Sequence, residues 1–130
     1  MGLILDTNFV IAAEREARRG AVGSTDRFLA LHGEESLFIT FTIAGELACG
    51  NSAAARREWD RLCQPFPVLP WTLDVSWRYG EIYRELALRG RMIGTHDLWI
   101  AATALANHHA VVTNNRKEIS QVPGLAVISY

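Results

Sequence analysis

Cysteine, lysine and long apolar runs are all scarce in this 130-residue chain, and each scarcity excludes something. The two cysteines, Cys49 and Cys63, stand far apart without metal-type spacing, which excludes a disulfide scaffold and a thiolate zinc cluster. Both are expected to be reduced and to fill core space. No apolar stretch approaches the ~20 residues that a membrane-spanning helix needs, and an acid follows directly on the opening Met-Gly-Leu-Ile-Leu. Neither a signal peptide nor a membrane segment is therefore expected, and the expected compartment is the cytoplasm. Charge of one sign is lacking too: thirteen basic residues face fourteen acidic ones, a net charge of -1, so any phosphate binding must be local. Lysine occurs once, and the twelve arginines suit bidentate phosphate contacts but equally reflect a GC-rich coding sequence. No Gly-x-x-x-x-Gly-Lys occurs, which excludes a phosphate-binding loop.

What is present is the composition of an ordinary globular protein, with 49% hydrophobic and 21% charged residues. The length suits a single domain over 1–130, able to remove roughly two-thirds of its unfolded surface from water.

Strand and helix signals alternate along the chain. Gly2 to Leu5 is a short apolar run, followed directly by a helix to Arg19, and Thr25 to His32 reads as a second short helix. Leu37 to Thr40 is the second strand. Thr42 is expected to cap a helix carrying Glu46, and another helix is expected over Ala53 to Leu62. Pro65, Pro67 and Pro70 exclude a helix there and leave Val68-Leu69 as a short edge strand. From Thr72 to Arg89, Val75, Tyr79, Ile82, Tyr83, Leu86 and Ala87 mark one buried stripe, with Gly90 as the stop. Trp77 and Leu88 lie opposite it, available to a homodimer or other protein contact or to a covering helix. Thr95 is expected to cap a helix that is apolar nearly all round and runs to about His108. Ala110 to Thr113 is a buried-type strand, Asn114 to Ile119 a turn with one helical turn, and Leu125 to Ile128 a last strand. This order implies a three-layer α/β/α domain with a short, mainly parallel central sheet.

In such a sheet the chemistry gathers where strands end and helices begin. Asp6 ends the first strand, Glu46 lies in the helix after the second, Asp97 stands in the first turn of the apolar helix, and Asn115 follows the Val111-Val112-Thr113 strand. Each has an ordinary structural explanation: helix-dipole placement for Asp6 and Asp97, a solvated helix face for Glu46, turn chemistry for Asn115. Their combination beside buried elements, where isolated negative charge is costly, calls for a positive partner. Oxygen ligands without a cysteine cluster or paired histidines favour Mg²⁺ or Mn²⁺ over zinc. His96, beside Asp97, is a subsidiary candidate; His32, His108 and His109 read as surface or helix-end histidines.

Four ordered segments carry a resemblance: Leu5-Asp6-Thr7-Asn8, Thr42 to Leu47, Ile93 to Ala102, and Val112 to Glu118 followed by Val122-Pro123-Gly124-Leu125. Together they span the chain and resemble the PIN-domain ribonucleases, within them the VapC-type toxins of bacterial toxin–antitoxin pairs. The resemblance implies that Asp6, Glu46 and Asp97 form the acidic metal site, with Asn115 where many relatives carry a fourth acid. A neutral amide there offers an oxygen but no charge, which favours one tightly held ion and a second recruited with RNA. Thr7, Asn8 and Thr113 would orient the carboxylates, and Arg116 and Lys117 are candidates for RNA phosphate contacts. The implied reaction is metal-dependent hydrolysis of an RNA phosphodiester, restrained by a cognate antitoxin.

Two other readings were open to this pattern. An aspartate-nucleophile phosphatase normally needs a second acid two residues after Asp6, where Asn8 stands. A PIN-like module that binds RNA or protein without catalysis is the remaining alternative, kept open by Asn115.

Overall fold

Leu3, Ile4 and Leu5 carry no polar alternation, and β1 (Leu3–Leu5) is accordingly buried on both faces of the central sheet. The computed structural model describes residues 1–130, the side chain of residue 52 excepted. Around β1 lie β2 (Leu37–Thr40), β3 (Val68–Leu69), β4 (Ala110–Val112) and β5 (Val127–Ile128) in the order β3-β2-β1-β4-β5, every pair parallel. The register sets Leu3 opposite both Leu37 and Ala110, so β1, β2 and β4 end together at one edge. The prolines confine β3 to two residues at the edge of the sheet, as their missing donors require.

Helices α1 (Thr7–Arg19), α2 (Ser24–Leu31), α3 (Phe41–Ala48), α4 (Arg56–Cys63), α5 (Leu73–Arg89), α6 (Thr95–Ala106) and α7 (Arg116–Ile119) complete the three-layer α/β/α domain. Helix α6 is central: Leu98, Ile100, Ala101, Ala102, Thr103 and Ala104 are all buried, the outcome of a sequence apolar nearly all round. Full burial of Leu3, Ile4, Leu5, Ile39 and Val111 stabilises the fold by roughly 1.5–3 kcal/mol per side chain, against which chain entropy is set. Gly20 and Gly90 close α1 and α5 with φ of 60° and 64°, left-handed values that favour glycine.

The structure corrects several expectations. Helix α3 is capped by Thr40, whose hydroxyl accepts from the Ile43 N–H at 3.1 Å, and Thr42 instead hydrogen-bonds Thr40 at 2.7 Å. Gly94, not Thr95, occupies the cap of α6, which closes at Ala106 before His108 turns to φ 58°. Helix α4 starts at Arg56, because Ala53 belongs to a short 3₁₀ turn (Asn51–Ala53) and Ala55 is extended. The last strand begins at Val127, since the Leu125 N–H is spent in a turn to Val122. Cys63 is buried as expected, but Cys49 is exposed at the end of α3. The stripe of α5 is narrower than its periodicity implied. Val75, Ile82 and Leu86 are buried, Ala87 is exposed, and Tyr83 sits half out of the core, stacked on Tyr79. Trp77 and Leu88 are exposed, on the opposite face. Among the described residues no helix is long and apolar enough to cross a membrane.

Candidate functional site

The common edge of β1, β2 and β4 is lined by three groups that finish strands and start turns or helices: Asp6, Thr40 and Thr113. Asp6 caps α1, its Oδ1 accepting from the Phe9 N–H at 2.8 Å, while its own N–H donates to the Val112 carbonyl at 3.2 Å. The Thr113 hydroxyl accepts from the Asn115 N–H at 3.0 Å and is hydrogen-bonded to the Asp6 carboxylate. An ionised carboxylate only accepts, so the single hydroxyl proton of Thr113 goes to Asp6. Burial nevertheless raises the Asp6 carboxyl above its ordinary range, outweighing the bonds from Thr113 and Phe9, and the negative charge of Glu46 adds to the rise.

Asp97 enters from the first turn of α6, and burial raises its carboxyl too, followed by the nearby charge of Glu118. Glu46 comes from α3, and its Oε2 lies 2.9 Å from His96 Nε2. These side chains share one cavity of about 160 Å³, lined by Asp6, Thr7, Asn8, Glu46, His96, Asp97, Thr113 and Asn115 over an apolar floor of Ile100, Val111 and Ile119. A larger cavity of about 250 Å³ lies between α1 and α4, but it is chiefly apolar and no carboxylates converge in it from separate strand ends.

The edge thus brings together Asp6, Glu46, Asp97 and Asn115, together with Thr7, Asn8 and Thr113. Of the residues expected to orient carboxylates, Thr113 makes such a bond, whereas the Thr7 hydroxyl is buried with no hydrogen-bond partner. Arg116 and Lys117 are exposed outside the cavity lining, and Arg116 Nη1 donates to Ser129 Oγ at 3.0 Å. Two residues were missed or underrated in the sequence. Glu118, on the one-turn helix α7, faces Asp97 and accepts from the Gly94 N–H at 3.3 Å. Its signal was its place three residues after Asn115, on one helical turn. His96 was visible only as the neighbour of Asp97.

The donor set fits a hard divalent cation. Asp6, Glu46 and Asp97 offer carboxylate oxygens, Asn115 an amide and Thr7 an unpaired hydroxyl, and all five residues line one cavity. Among the described residues no three His, Cys, Asp or Glu side chains are already gathered tightly enough to grip an ion. Glu46 is turned toward His96, and a cation in the cavity would offset the mutual repulsion of the acids.

Comparison with known proteins agrees with this fold. The sequence profile of the family described as PIN domain matches residues 3–125. Ribonuclease VapC1 of Rickettsia felis is 31% identical, with 99% of this chain and 96% of that protein covered. Ribonuclease VapC of Rickettsia bellii is 28% identical at the same coverage. Among solved structures, the complex described as VapBC2 from Rickettsia felis bound to a DNA fragment from their promoter contains a chain that superimposes with a TM-score of 0.84 at 25% identity, over 100% of this chain and 99% of that one. A chain of the DNA-bound VapBC from Salmonella typhimurium gives 0.78 at 27% identity, over 99% and 98%.

Proposed function

The chain belongs to the PIN domain family, and on that premise we propose that it is a VapC-type toxin, a metal-dependent endoribonuclease restrained by a cognate antitoxin. The observation that carries this reading is the convergence of Asp6, Glu46 and Asp97 on one cavity at the carboxyl edge of a parallel sheet. Asp6, Glu46 and Asp97 would hold Mg²⁺ or Mn²⁺, with the Asn115 amide and the Thr7 hydroxyl as further oxygens. Such an ion would supply the positive charge that acidifies a water and offsets the charge growing on the scissile phosphate.

The protein's own groups do the rest. Thr113 holds Asp6 in orientation through its hydroxyl proton, and the Phe9 N–H fixes Asp6 Oδ1 from the start of α1. Glu118 restores beside Asp97 the negative charge that Asn115 withholds. Arg116 and Lys117, exposed next to the cavity, are placed to meet RNA phosphates as they approach. The groove between α1 and α4 offers the antitoxin an apolar floor of Val10, Ala13, Leu62 and Phe66, rimmed by Glu14, Arg18, Glu58 and Arg61. The exposed row Leu73, Trp77 and Leu88 of α5 suits a contact between two copies.

The test is incubation of purified, antitoxin-free protein with structured RNA in Mg²⁺ or Mn²⁺. Fragments bearing 5′-phosphate and 3′-hydroxyl ends, abolished by EDTA, are expected. Cleavage that persists in EDTA contradicts the reading.

A further inference from the structure

We propose that His96 is a nitrogen ligand of the metal site and biases this chain toward Mn²⁺ and away from Mg²⁺. The inference rests on the metal-nuclease reading and adds to it the identity of a donor that the acidic residues alone do not supply.

His96 stands in the first turn of α6, one residue before Asp97, and it is the one histidine among the residues lining the cavity. Its Nε2 lies 2.9 Å from Glu46 Oε2, so the imidazole already meets the carboxylate that must reach any ion at this edge. Both side chains remain partly open to solvent, at 37% and 45%, and are free to turn toward a shared ion in place of their mutual contact. A second observation points to a ligand: Thr7, another residue of the cavity lining, is 7% exposed and its buried hydroxyl has no hydrogen-bond partner. A buried hydroxyl is rarely left unpaired unless something else completes it.

Ligand chemistry then decides which ion. Mg²⁺ takes oxygen in a strict octahedron and binds imidazole poorly, whereas Mn²⁺ accepts mixed oxygen and nitrogen sets. A site of carboxylates plus one imidazole therefore discriminates where a site of carboxylates alone does not. His96 does this without touching the fold, because its contact with Glu46 joins two partly exposed side chains.

The experiment titrates the full chain with Mn²⁺ and, separately, Mg²⁺ by calorimetry, in wild type, His96→Gln and Asp97→Asn. The Mn²⁺-loaded proteins are also examined by electron spin-echo spectroscopy for ¹⁴N coupling. Wild type should bind Mn²⁺ more tightly than Mg²⁺ and show histidine ¹⁴N coupling. His96→Gln should lose the coupling and at least about tenfold in Mn²⁺ affinity, the least that losing even a ligand's supporting partner costs, while Mg²⁺ affinity changes by less than about twofold. Equal melting temperatures of wild type and His96→Gln in EDTA are expected, since a partly exposed glutamine replaces a partly exposed imidazole. Mn²⁺ bound without ¹⁴N coupling, or equal losses for both ions, overturns the inference and leaves the nuclease reading standing, provided Asp97→Asn abolishes binding. Failure of wild type to bind either ion overturns both together.

Discussion

The Thr113 hydroxyl accepts from the Asn115 N–H at 3.0 Å and, facing a carboxylate that can only accept, gives its one proton to Asp6. The strand that ends at Val112 thereby fixes the carboxylate at the end of the neighbouring strand. Thr113→Val keeps the shape and deletes the bond. Loss of this support should lower Mn²⁺ affinity by about tenfold, the scale of a lost orienting partner. Calorimetric titration at neutral pH reads this, and an unchanged affinity would remove Thr113 from the mechanism.

Burial holds the folded-state pKa of Asp6 and Asp97 above the unfolded value. The folded protein therefore binds those protons more tightly. The stabilisation is complete below the ordinary carboxylate range and is lost as pH rises through the raised values. At pH 7 the metal-free protein carries that loss, so Asp97→Asn in EDTA should melt a few degrees higher than wild type while being inactive. The gap should close on acidification toward pH 4. A gap independent of pH, or a less stable variant, contradicts the assignment of burial as the cause.

Thr7 provides a complementary case, since its hydroxyl is buried without a partner. Thr7→Val removes an unsatisfied polar group at equal shape, so thermal stability in EDTA should be unchanged or slightly higher. Mn²⁺-induced stabilisation should fall. If the variant is destabilised without metal and responds normally to Mn²⁺, the hydroxyl serves the fold rather than the site.

On α5, Trp77 is 64% exposed and Leu88 is 90% exposed, opposite the buried Val75, Ile82 and Leu86. If this row joins two copies, Trp77→Ser with Leu88→Ser should convert a dimer to a monomer in sedimentation at micromolar concentration, with ribonuclease activity per chain retained. A wild type that sediments as a monomer removes the homodimer.

Much of this architecture is legible in the residues themselves. Strands buried on both faces announce themselves as unbroken apolar runs, and the rule that parallel strands deliver chemistry at their carboxyl ends was enough to collect Asp6, Glu46, Asp97 and Asn115. Cap positions were less legible: Thr40 and Thr42 both have the hydroxyl a cap needs, and only the end of β2 decides between them. Glu118 escaped because a four-residue helix has no periodicity to read, so its turn toward Asp97 appears only in three dimensions. His96 was undervalued for a related reason. A histidine on the first turn of a helix looks solvated until Glu46, fifty positions earlier, is brought beside it.

The most direct test of the central claim is RNA cleavage by wild type, Asp6→Asn and Asp97→Asn side by side in Mn²⁺, without antitoxin. The account predicts cleavage by wild type alone, with rates reduced on the order of 10²-fold or more in each variant, the scale expected when charge-stabilising groups are lost. Equal cleavage by all three would contradict it.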